Sequence, residues 1–300
     1  MSRAKKNWRL GIDLGGTKIE GALLDPAGRV VCRKRMATRQ QGGYESILKR
    51  ITGLYRALAR HAGHGSLTLG IGTPGAISNV TGRLKNSNTQ CLNGRFLKED
   101  LMRLLGRPLR LENDANCFAL AEARLGAGRG KRMVFGVIMG TGCGGGLVLD
   151  GTVWTGPQAI AGEWGHMAID PRGPRCYCGA RGCIETLISG GGVEARYQAL
   201  HKCRQTLRQI VTAYRSGNFQ AEKFMKQFFK DFGRSLANLI NVLDPDIVVL
   251  GGGVSNMAEL YEQGLAQVRR QIFSDTLQTP VVRHQLGDSA GVLGAALMGV

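Results

Sequence analysis

The sequence contains no apolar run long enough to cross a membrane or to form a signal peptide, which predicts a cytoplasmic protein without a membrane partner. Aromatic residues are scarce, at 6% of the chain, and they do not alternate with basic residues. Acidic residues are also few: 22 Asp and Glu stand against 40 Lys and Arg, a formal charge of +18. Because the basic residues spread over the whole length, we expect a solvated basic surface that favours anionic ligands, and not a nucleic-acid partner.

Paired cysteine spacing is absent from most of the chain, which indicates a reducing compartment and argues against a disulfide scaffold. Of the eight cysteines, Cys176, Cys178 and Cys183 follow His166 within a short stretch. One imidazole and three thiols are a ligand set that suits tetrahedral zinc, although three free thiols are the alternative. Four protein ligands leave no open position, so zinc at this site would be structural. The scattered cysteines are Cys32, Cys91, Cys117, Cys143 and Cys203.

Two common nucleotide-binding motifs are missing. The chain has no G-x-x-x-x-G-K-[ST] run and no G-x-G-x-x-G run with an acidic ribose ligand, so neither a P-loop enzyme nor a dinucleotide fold is supported. Three other glycine turns each follow an apolar strand, where backbone N–H groups can approach a phosphate closely. Each alone could be an ordinary tight turn, but together they predict a nucleotide cleft. Their residues are Gly15, Gly16, Thr17 and Lys18; Gly140, Thr141 and Gly142; and Gly251, Gly252 and Gly253.

A pattern of strand, glycine turn and strand occurs twice, over residues 11–24 and 136–149, and predicts two related lobes. Residues 72–98 show no periodicity, and their neutral polar side chains suit a polyhydroxylated ligand. A mostly helical segment is predicted over 192–242, with breaks near Gly217 and Gly233, and a further helix is predicted over 257–273.

Asp114 lies where a predicted strand meets a predicted helix. A carboxylate at this place is suited to cap the helix. Beside Asn113 and facing a cleft, it is equally suited to orient a hydroxyl group and to take its proton in phosphoryl transfer. The residues alone leave both interpretations open.

With these motifs together, the sequence resembles the ROK family of bacterial sugar kinases and sugar-responsive repressors, from Ile12 to the C-terminal helix. The resemblance implies an α/β, two-lobed actin-like ATPase (ribonuclease H-like) fold with a structural zinc loop. The smaller lobe would comprise residues 1–116 with 287–300, and the larger one residues 117–286. The runs that carry the resemblance are DLGGTK (13–18), ENDANC (112–117), GTG (140–142), GEWGHM (162–167), CYCGARGCIE (176–185) and DPDIVVLGGG (244–253).

The resemblance also implies a role for each motif. Asp114 would be the catalytic base on a sugar hydroxyl, and Asp13 would reach Mg²⁺ through water. The turns at 13–18 and 140–142 would hold the ATP phosphates, and residues 251–253 would line the adenosine side. The implied sugar-binding residues are Gly75, Asn88, Asn113, Glu163, His166 and Glu185. The implied zinc ligands are His166, Cys176, Cys178 and Cys183.

The implied activity is ATP-dependent phosphorylation of a hexose 6-hydroxyl by a homodimeric enzyme. Residues 86–94 (NSNTQCLNG) and 185–190 (ETLISG) look most like fructokinases, so D-fructose is the expected acceptor, with mannose and glucose as further ones. Related fructokinases tend to carry tryptophan where this sequence has Cys91. An N-acetylhexosamine kinase and a non-catalytic repressor are the alternatives. Twelve residues precede Asp13, too few for the helix-turn-helix domain of such repressors, so an enzyme is expected.

Overall fold

The computed structural model describes residues 7–63 and 65–299. The chain forms two compact units: Met1–Glu122, Val153–Ala161 and Leu286–Val300 make the first, and Ala123–Thr152 and Gly162–Gln285 make the second. The two lobes expected from the family resemblance, residues 1–116 with 287–300 and residues 117–286, were assigned by the roles of their motifs. Their bounds remain a prediction.

The strands are β1 (Trp8–Leu14), β2 (Lys18–Leu24), β3 (Val30–Ala37), β4 (Leu67–Thr73), β5 (Ala76–Ile77), β6 (Leu84–Lys85), β7 (Arg110–Asn113), β8 (Met133–Met139), β9 (Cys143–Leu149), β10 (Thr152–Val153), β11 (Ile247–Gly251) and β12 (Val281–Arg283). The helices are α1 (Gly43–Ala59), α2 (Leu97–Leu105), α3 (Asp114–Leu125), α4 (Ile184–Ile188), α5 (Gly190–His201), α6 (Leu207–Arg215), α7 (Phe219–Leu243), α8 (Leu265–Arg269) and α9 (Ala290–Met298).

The described residues form two five-stranded sheets that share a topology. Their strand orders are β3-β2-β1-β4-β7 and β10-β9-β8-β11-β12. In the first sheet β1 runs antiparallel to β2 and parallel to β4, and in the second β8 runs antiparallel to β9 and parallel to β11. The strand-turn-strand repeat predicted from the sequence is therefore confirmed, with one copy in each sheet.

The core of the first unit forms because apolar residues of α1 recur at helical spacing. Ile47, Ile51, Leu54 and Leu58 lie on one face of the helix and are buried. This face packs over β2, where Gly21 leaves room for two of the leucine side chains. Burial of such a face supplies most of the stability of a helix of this length.

Helix α9 packs so closely on the same sheet that its backbone contacts the backbone of the strands. A Cβ atom on Gly11 of β1 would collide with the carbonyl oxygen of Val292, and one on Gly70 of β4 would collide with the carbonyl oxygen of Ala295. Glycine is required at both strand positions because nothing larger fits between the strand and the helix.

The helical segment of the second unit differs from the prediction at one of its two glycines. The break near Gly217 is confirmed, since α6 ends at Arg215 and α7 begins at Phe219. The break near Gly233 is wrong, because α7 continues through it. Gly233 instead provides space for a neighbouring helix: a Cβ atom there would collide with Gln267 of α8.

The helix predicted over residues 257–273 is shorter and less regular than expected. The structure has a π-helical turn over Leu260–Gly264, followed by the short α8. Across residues 7–63 and 65–299, no helix combines the length and the apolar character that crossing a membrane requires.

Candidate active site

The first predicted phosphate turn joins β1 to β2 and is held from two sides. The Gly15 N–H donates to the Lys18 carbonyl oxygen over 2.9 Å, which closes the turn. Directly after β3, the Thr38 hydroxyl donates to the Gly15 carbonyl oxygen over 2.6 Å, and the Thr38 N–H donates to the Thr17 carbonyl oxygen over 2.8 Å. The Thr17 side chain remains exposed, as a ligand to a phosphate must be.

Lys18, predicted to contact phosphate, shares a buried carboxylate with two arginines. Its Nζ lies 3.8 Å from Glu20, whose side chain is 1% exposed. Arg35 and Arg33 of β3 reach the same carboxylate at 2.6 and 3.7 Å. Three cations around one buried anion leave a net positive charge beside the turn, which favours an anionic ligand.

Asp13, at the end of β1, lies among other carboxylates. Its strand neighbour in register is Glu20. Burial raises the pKa of Asp13 to about 7, and the negative charges of Asp114 and Glu20 add to the effect. A divalent cation would relieve this repulsion, and carboxylate oxygens are the donors that Mg²⁺ prefers. The group of carboxylates therefore fits the predicted Mg²⁺ site.

Asp114 is the first residue of α3, and the preceding Asn113 occupies the cap position. The side-chain oxygen of Asn113 accepts the Ala115 N–H over 2.8 Å, and the Asp114 carboxylate accepts the same N–H, also over 2.8 Å. Since Asn113 can cap the helix by itself, the cap does not depend on Asp114. The interpretation of Asp114 as a helix cap alone is thereby weakened, and the carboxylate lies at the positive end of the helix dipole.

Two predicted sugar residues of the first unit are in direct contact. The Asn113 side-chain amide donates to the Gly75 carbonyl oxygen over 3.2 Å. Gly75 has φ of 84°, and a Cβ atom there would collide with the carbonyl oxygen of Lys85, so only glycine fits. Asn88 is exposed farther along the same loop, next to Thr89. Gly16 of the phosphate turn lies beside Thr89, which brings this loop close to the turn.

In the second unit, a predicted sugar ligand is bound to the predicted phosphate turn. The Glu185 carboxylate accepts the Cys143 N–H over 3.0 Å, directly after the Gly140–Gly142 turn. A Cβ atom on Gly142 would lie 2.5 Å from the same carboxylate oxygen. The sequence places both groups in the site, but 42 residues separate Glu185 from Cys143, so it does not predict their contact.

The same turn also contacts two other glycine segments. The Gly190 N–H donates to the Gly140 carbonyl oxygen over 2.7 Å, and the Gly191 N–H donates to the Thr141 carbonyl oxygen over 3.2 Å. On the predicted adenosine side, Gly252 has φ of 80° and packs against Gly140. Gly190 and Gly191 were not predicted as site residues, although the glycine run at 190–192 is a signal that could have found them.

Glu163 immediately precedes the short turn Trp164–His166, and His166 ends it. The buried residues of this turn, Trp164 and Gly165, anchor it to β9. The Trp164 indole N–H donates to the Gly144 carbonyl oxygen over 2.9 Å. Gly165 packs so closely against the Cys143 carbonyl oxygen that a Cβ atom would collide with it. The local fold therefore fixes the backbone on which both predicted sugar ligands stand.

The four predicted zinc ligands come together. One donor atom from each of His166, Cys176, Cys178 and Cys183 lies within 4.8 Å of all the others. Both the Cys176 Sγ to His166 Nδ1 distance and the Cys178 Sγ to Cys183 Sγ distance are 3.6 Å. Zn–S bonds of about 2.3 Å in a tetrahedron place neighbouring donors about 3.8 Å apart. Donor chemistry and spacing thus fit zinc.

Tyr177, inside the cysteine loop, was missed by the sequence reasoning. Its hydroxyl lies 3.0 Å from Nε2 of His166, the ring nitrogen that faces away from the thiols. Burial of the hydroxyl raises the pKa of Tyr177 to about 12, and the nearby Glu185 and Glu163 carboxylates contribute to that rise. The tyrosine hydroxyl is therefore in hydrogen-bonding contact with one predicted sugar ligand of this unit, His166. Sequence spacing gave no sign of this, since a tyrosine between two cysteines has no fixed direction.

The sequence matches the ROK family over residues 9–299. It is 36% identical to the N-acetyl-D-glucosamine kinase of Photobacterium profundum over 300 residues, which cover 97% of this chain and 98% of that protein. The ROK hexokinase structure from Thermus thermophilus has 34% identity and a TM-score of 0.88, with 97% of each chain covered. A ROK glucokinase from Streptomyces griseus, in complex with glucose and AMPPNP, has 29% identity and a TM-score of 0.77, with 98% of this chain and 99% of that chain covered.

These matches extend over nearly the whole chain, in sequence and in structure. They confirm the predicted α/β, actin-like fold, whose two sheets of equal topology had already indicated it. The protein therefore belongs to the ROK family.

Proposed function

We propose that this protein is a sugar kinase that transfers the γ-phosphoryl group of ATP to the 6-hydroxyl of a hexose, with N-acetyl-D-glucosamine as the first acceptor to test. Membership of the ROK family supports a sugar kinase, and the relative from Photobacterium profundum is named for N-acetyl-D-glucosamine. The observation that carries the proposal is the hydrogen bond between Glu185 and the Cys143 N–H. It joins a carboxylate suited to sugar hydroxyls to a glycine turn suited to phosphates.

Fructose, the acceptor expected from the sequence, has less support. Three relatives with 35–38% identity are named N-acetyl-D-glucosamine kinases. The loop expected to bind sugar also has Cys91 at the place where related fructokinases tend to carry tryptophan. Fructose, mannose and glucose therefore remain as competitors in the same assay.

In the proposed reaction, Asp114 orients the acceptor hydroxyl and takes its proton. Glu163, His166 and Glu185 of the second unit bind the other hydroxyl groups, and the sugar-binding residues proposed in the first unit are Asn113, Gly75 and Asn88. The turns at 15–18 and 140–142 hold the phosphates, and residues 251–253 line the adenosine side. Asp13 would hold Mg²⁺ through water, and the ion supplies positive charge to the transferring phosphoryl group when bound. Zinc held by His166, Cys176, Cys178 and Cys183 would supply structure and not catalysis.

A coupled assay of ADP release over N-acetyl-D-glucosamine, N-acetyl-D-mannosamine, glucose, mannose and fructose tests the function and ranks the acceptors. Asp114→Asn should lower kcat about 10²- to 10⁴-fold because the hydroxyl loses its base, while sugar and ATP still bind. Asp150→Asn is the matched control, since Asp150 is an exposed turn residue whose carboxylate pairs with Arg132. Turnover by Asp114→Asn at the rate of the control would refute the mechanism.

The competing proposal is a sugar-responsive DNA-binding regulator. It predicts sugar binding without ADP release for any sugar of the panel, together with salt-dependent binding to operator DNA. That combination of results would replace the kinase proposal.

A further inference from the structure

The tyrosine of the cysteine loop occupies a hydrogen-bonding position that the proposed function needs for sugar. The Tyr177 hydroxyl is 3.0 Å from Nε2 of His166, and the two rings meet edge to face, with centroids 5.1 Å apart and planes at 88°. The side chain is nevertheless 75% exposed. It is therefore well oriented toward His166 but weakly held by the rest of the protein.

The chemistry of His166 fixes the direction of this hydrogen bond. Nδ1 faces the thiols and lies 3.6 Å from the Sγ of Cys176. Zinc held by the four ligands would take the lone pair of Nδ1, so Nε2 must carry the proton. Nε2–H then donates to the Tyr177 oxygen, and the imidazole has no second donor to offer.

The Tyr177 hydroxyl resembles a sugar hydroxyl in its hydrogen bond to His166. It lies 3.0 Å from Nε2 and accepts the Nε2–H. A sugar hydroxyl bound to His166 would accept the same N–H, so the two hydroxyl groups compete for one donor.

We propose that Tyr177 is a specificity-determining residue of the sugar site: it holds the Nε2–H of His166 until a sugar hydroxyl takes its place. This inference rests on the proposed function, in which His166 binds the sugar. A sugar that presents a hydroxyl at this position displaces the tyrosine, whereas a sugar that lacks it leaves the tyrosine in place. Displacement is inexpensive because the exposed ring can turn into solvent.

The test is sugar affinity, measured by calorimetry without ATP, for the zinc-loaded wild type and for Tyr177→Phe. The variant keeps the ring and removes the competing hydroxyl, so N-acetyl-D-glucosamine should bind about two- to tenfold more tightly, the value of one intramolecular hydrogen bond. Tyr214→Phe is the matched control: its hydroxyl donates to Gln263 on another part of the second unit, and its loss should leave affinity unchanged.

Two further measurements separate displacement from a structural role. Sugar should perturb the tyrosine ultraviolet band of the wild type, and this change should be absent in Tyr177→Phe, whose zinc content should match the wild type. Among monodeoxy analogues of the sugar, the one that lacks the displacing hydroxyl should bind equally to both proteins.

Unchanged or weaker sugar binding by Tyr177→Phe at equal zinc content overturns this proposal and leaves the kinase proposal intact. Equal tightening for every deoxy analogue also overturns it, because no single hydroxyl would then replace the tyrosine. Failure of the wild type to bind any sugar of the panel overturns the proposed function, and this inference with it.

Discussion

At Gly142, the space for one methyl group is taken by a carboxylate oxygen. The ideal Cβ position is 2.5 Å from the Oε2 of Glu185, the atom that accepts the Cys143 N–H. Glycine at this position therefore serves the contact between turn and carboxylate as well as any approach to phosphate. The absence of a side chain at Gly142 thus allows the proposed sugar ligand, Glu185, to contact the proposed phosphate turn.

Gly142→Ala should weaken sugar binding about tenfold or more, because the added methyl group displaces Glu185 from the Cys143 N–H and a charged hydrogen bond is lost. Sugar affinity by calorimetry is the measurement. Gly53→Ala is the control, since its Cβ atom would meet no atom within 4 Å in α1. Sugar affinity in Gly142→Ala equal to that of the control would contradict a role of the contact between Glu185 and the Cys143 N–H in sugar binding.

Which residues belong to the candidate site could largely be predicted from the sequence, but the contacts between their side chains could not. Glu185 and the Gly140–Gly142 turn were each expected in the site, yet their contact depends on how α4 meets the start of β9. Tyr177 was missed because the direction of its side chain is set by the folded cysteine loop. Such pairings arise from tertiary structure, on which sequence spacing carries no information.

At the scale of elements, Asp246 joins the beginnings of two neighbouring strands. It immediately precedes β11, and its carboxylate accepts the N–H groups of Arg132 and Met133, each over 2.8 Å, where β8 begins. These N–H groups, with Met133 contributing most, lower the pKa of Asp246. A carboxylate with a depressed pKa adds stability above its unfolded pKa, and this contribution is lost as the pH falls through the folded value.

Asp246→Asn should therefore lower the free energy of unfolding by about 1 kcal/mol at neutral pH, a small value because the carboxylate is exposed. The difference from the wild type should shrink below about pH 4, where the carboxyl group takes up a proton in the unfolded state while the folded state, with its lower pKa, still holds it charged. Urea unfolding at several pH values measures it. A difference that stays constant from neutral to acid pH would mean that the charge of Asp246 has no part in it.

Gly233→Ala should destabilise the protein by about 1–3 kcal/mol, because the methyl group would overpack the contact between α7 and Gln267. The same substitution at Gly53, in an open position of α1, should stabilise it by about 0.5–1 kcal/mol through helix propensity. Thermal or urea unfolding of both variants provides the comparison. Equal gains at the two glycines would contradict the packing role of Gly233.

The two glycines also show which part of an element a sequence can predict. A glycine in a helical pattern signals either an end or a close contact, and only the neighbouring element distinguishes the two cases. Near Gly217 the chain does break, and at Gly233 it does not, because α8 packs there. The first strand of each repeat, β1 and β8, was predicted because its apolar run ends directly before a glycine, Gly15 or Gly140.

Removal of the metal should lower both the melting temperature and the sugar affinity, since His166 is a predicted ligand of zinc and of sugar. A sample chelated under reducing conditions and verified to be metal-free is compared with a zinc-reloaded one. Cys183→Ser should reproduce the loss, whereas serine at the exposed Cys203 should not. A metal-free sample that melts and binds sugar as the reloaded one does would refute the coupling.

At the scale of the whole molecule, the formal charge of +18 acts on every anionic ligand. Salt screens this electrostatic attraction, which does not act on a neutral sugar. The KM for ATP should therefore rise with ionic strength while the KM for a neutral hexose changes little, as initial rates over a series of potassium chloride concentrations can measure. Parallel changes of both KM values would indicate a general effect of salt on the enzyme.

The general architecture was the part that the sequence predicted best, because the same pattern of strands and turns occurs twice in the chain. Two copies of a strand, a glycine turn and a strand indicated two related sheets, and both sheets have that order. The acceptor was the least predictable part. Two hexoses can differ in a single substituent, and the space around that substituent depends on side chains from distant segments.

The position of α9 on the first sheet bears on how the chain is made. Residues 286–300 complete a unit that begins with β1, so during synthesis β1 and β4 emerge from the ribosome long before the helix that covers them. Gly11 and Gly70 expose bare backbone where α9 will lie, so that face is left open in the nascent chain. The second unit has all of its segments by residue 285. The first unit, whose synthesis begins first, therefore receives its last segment only after the second unit has all of its own.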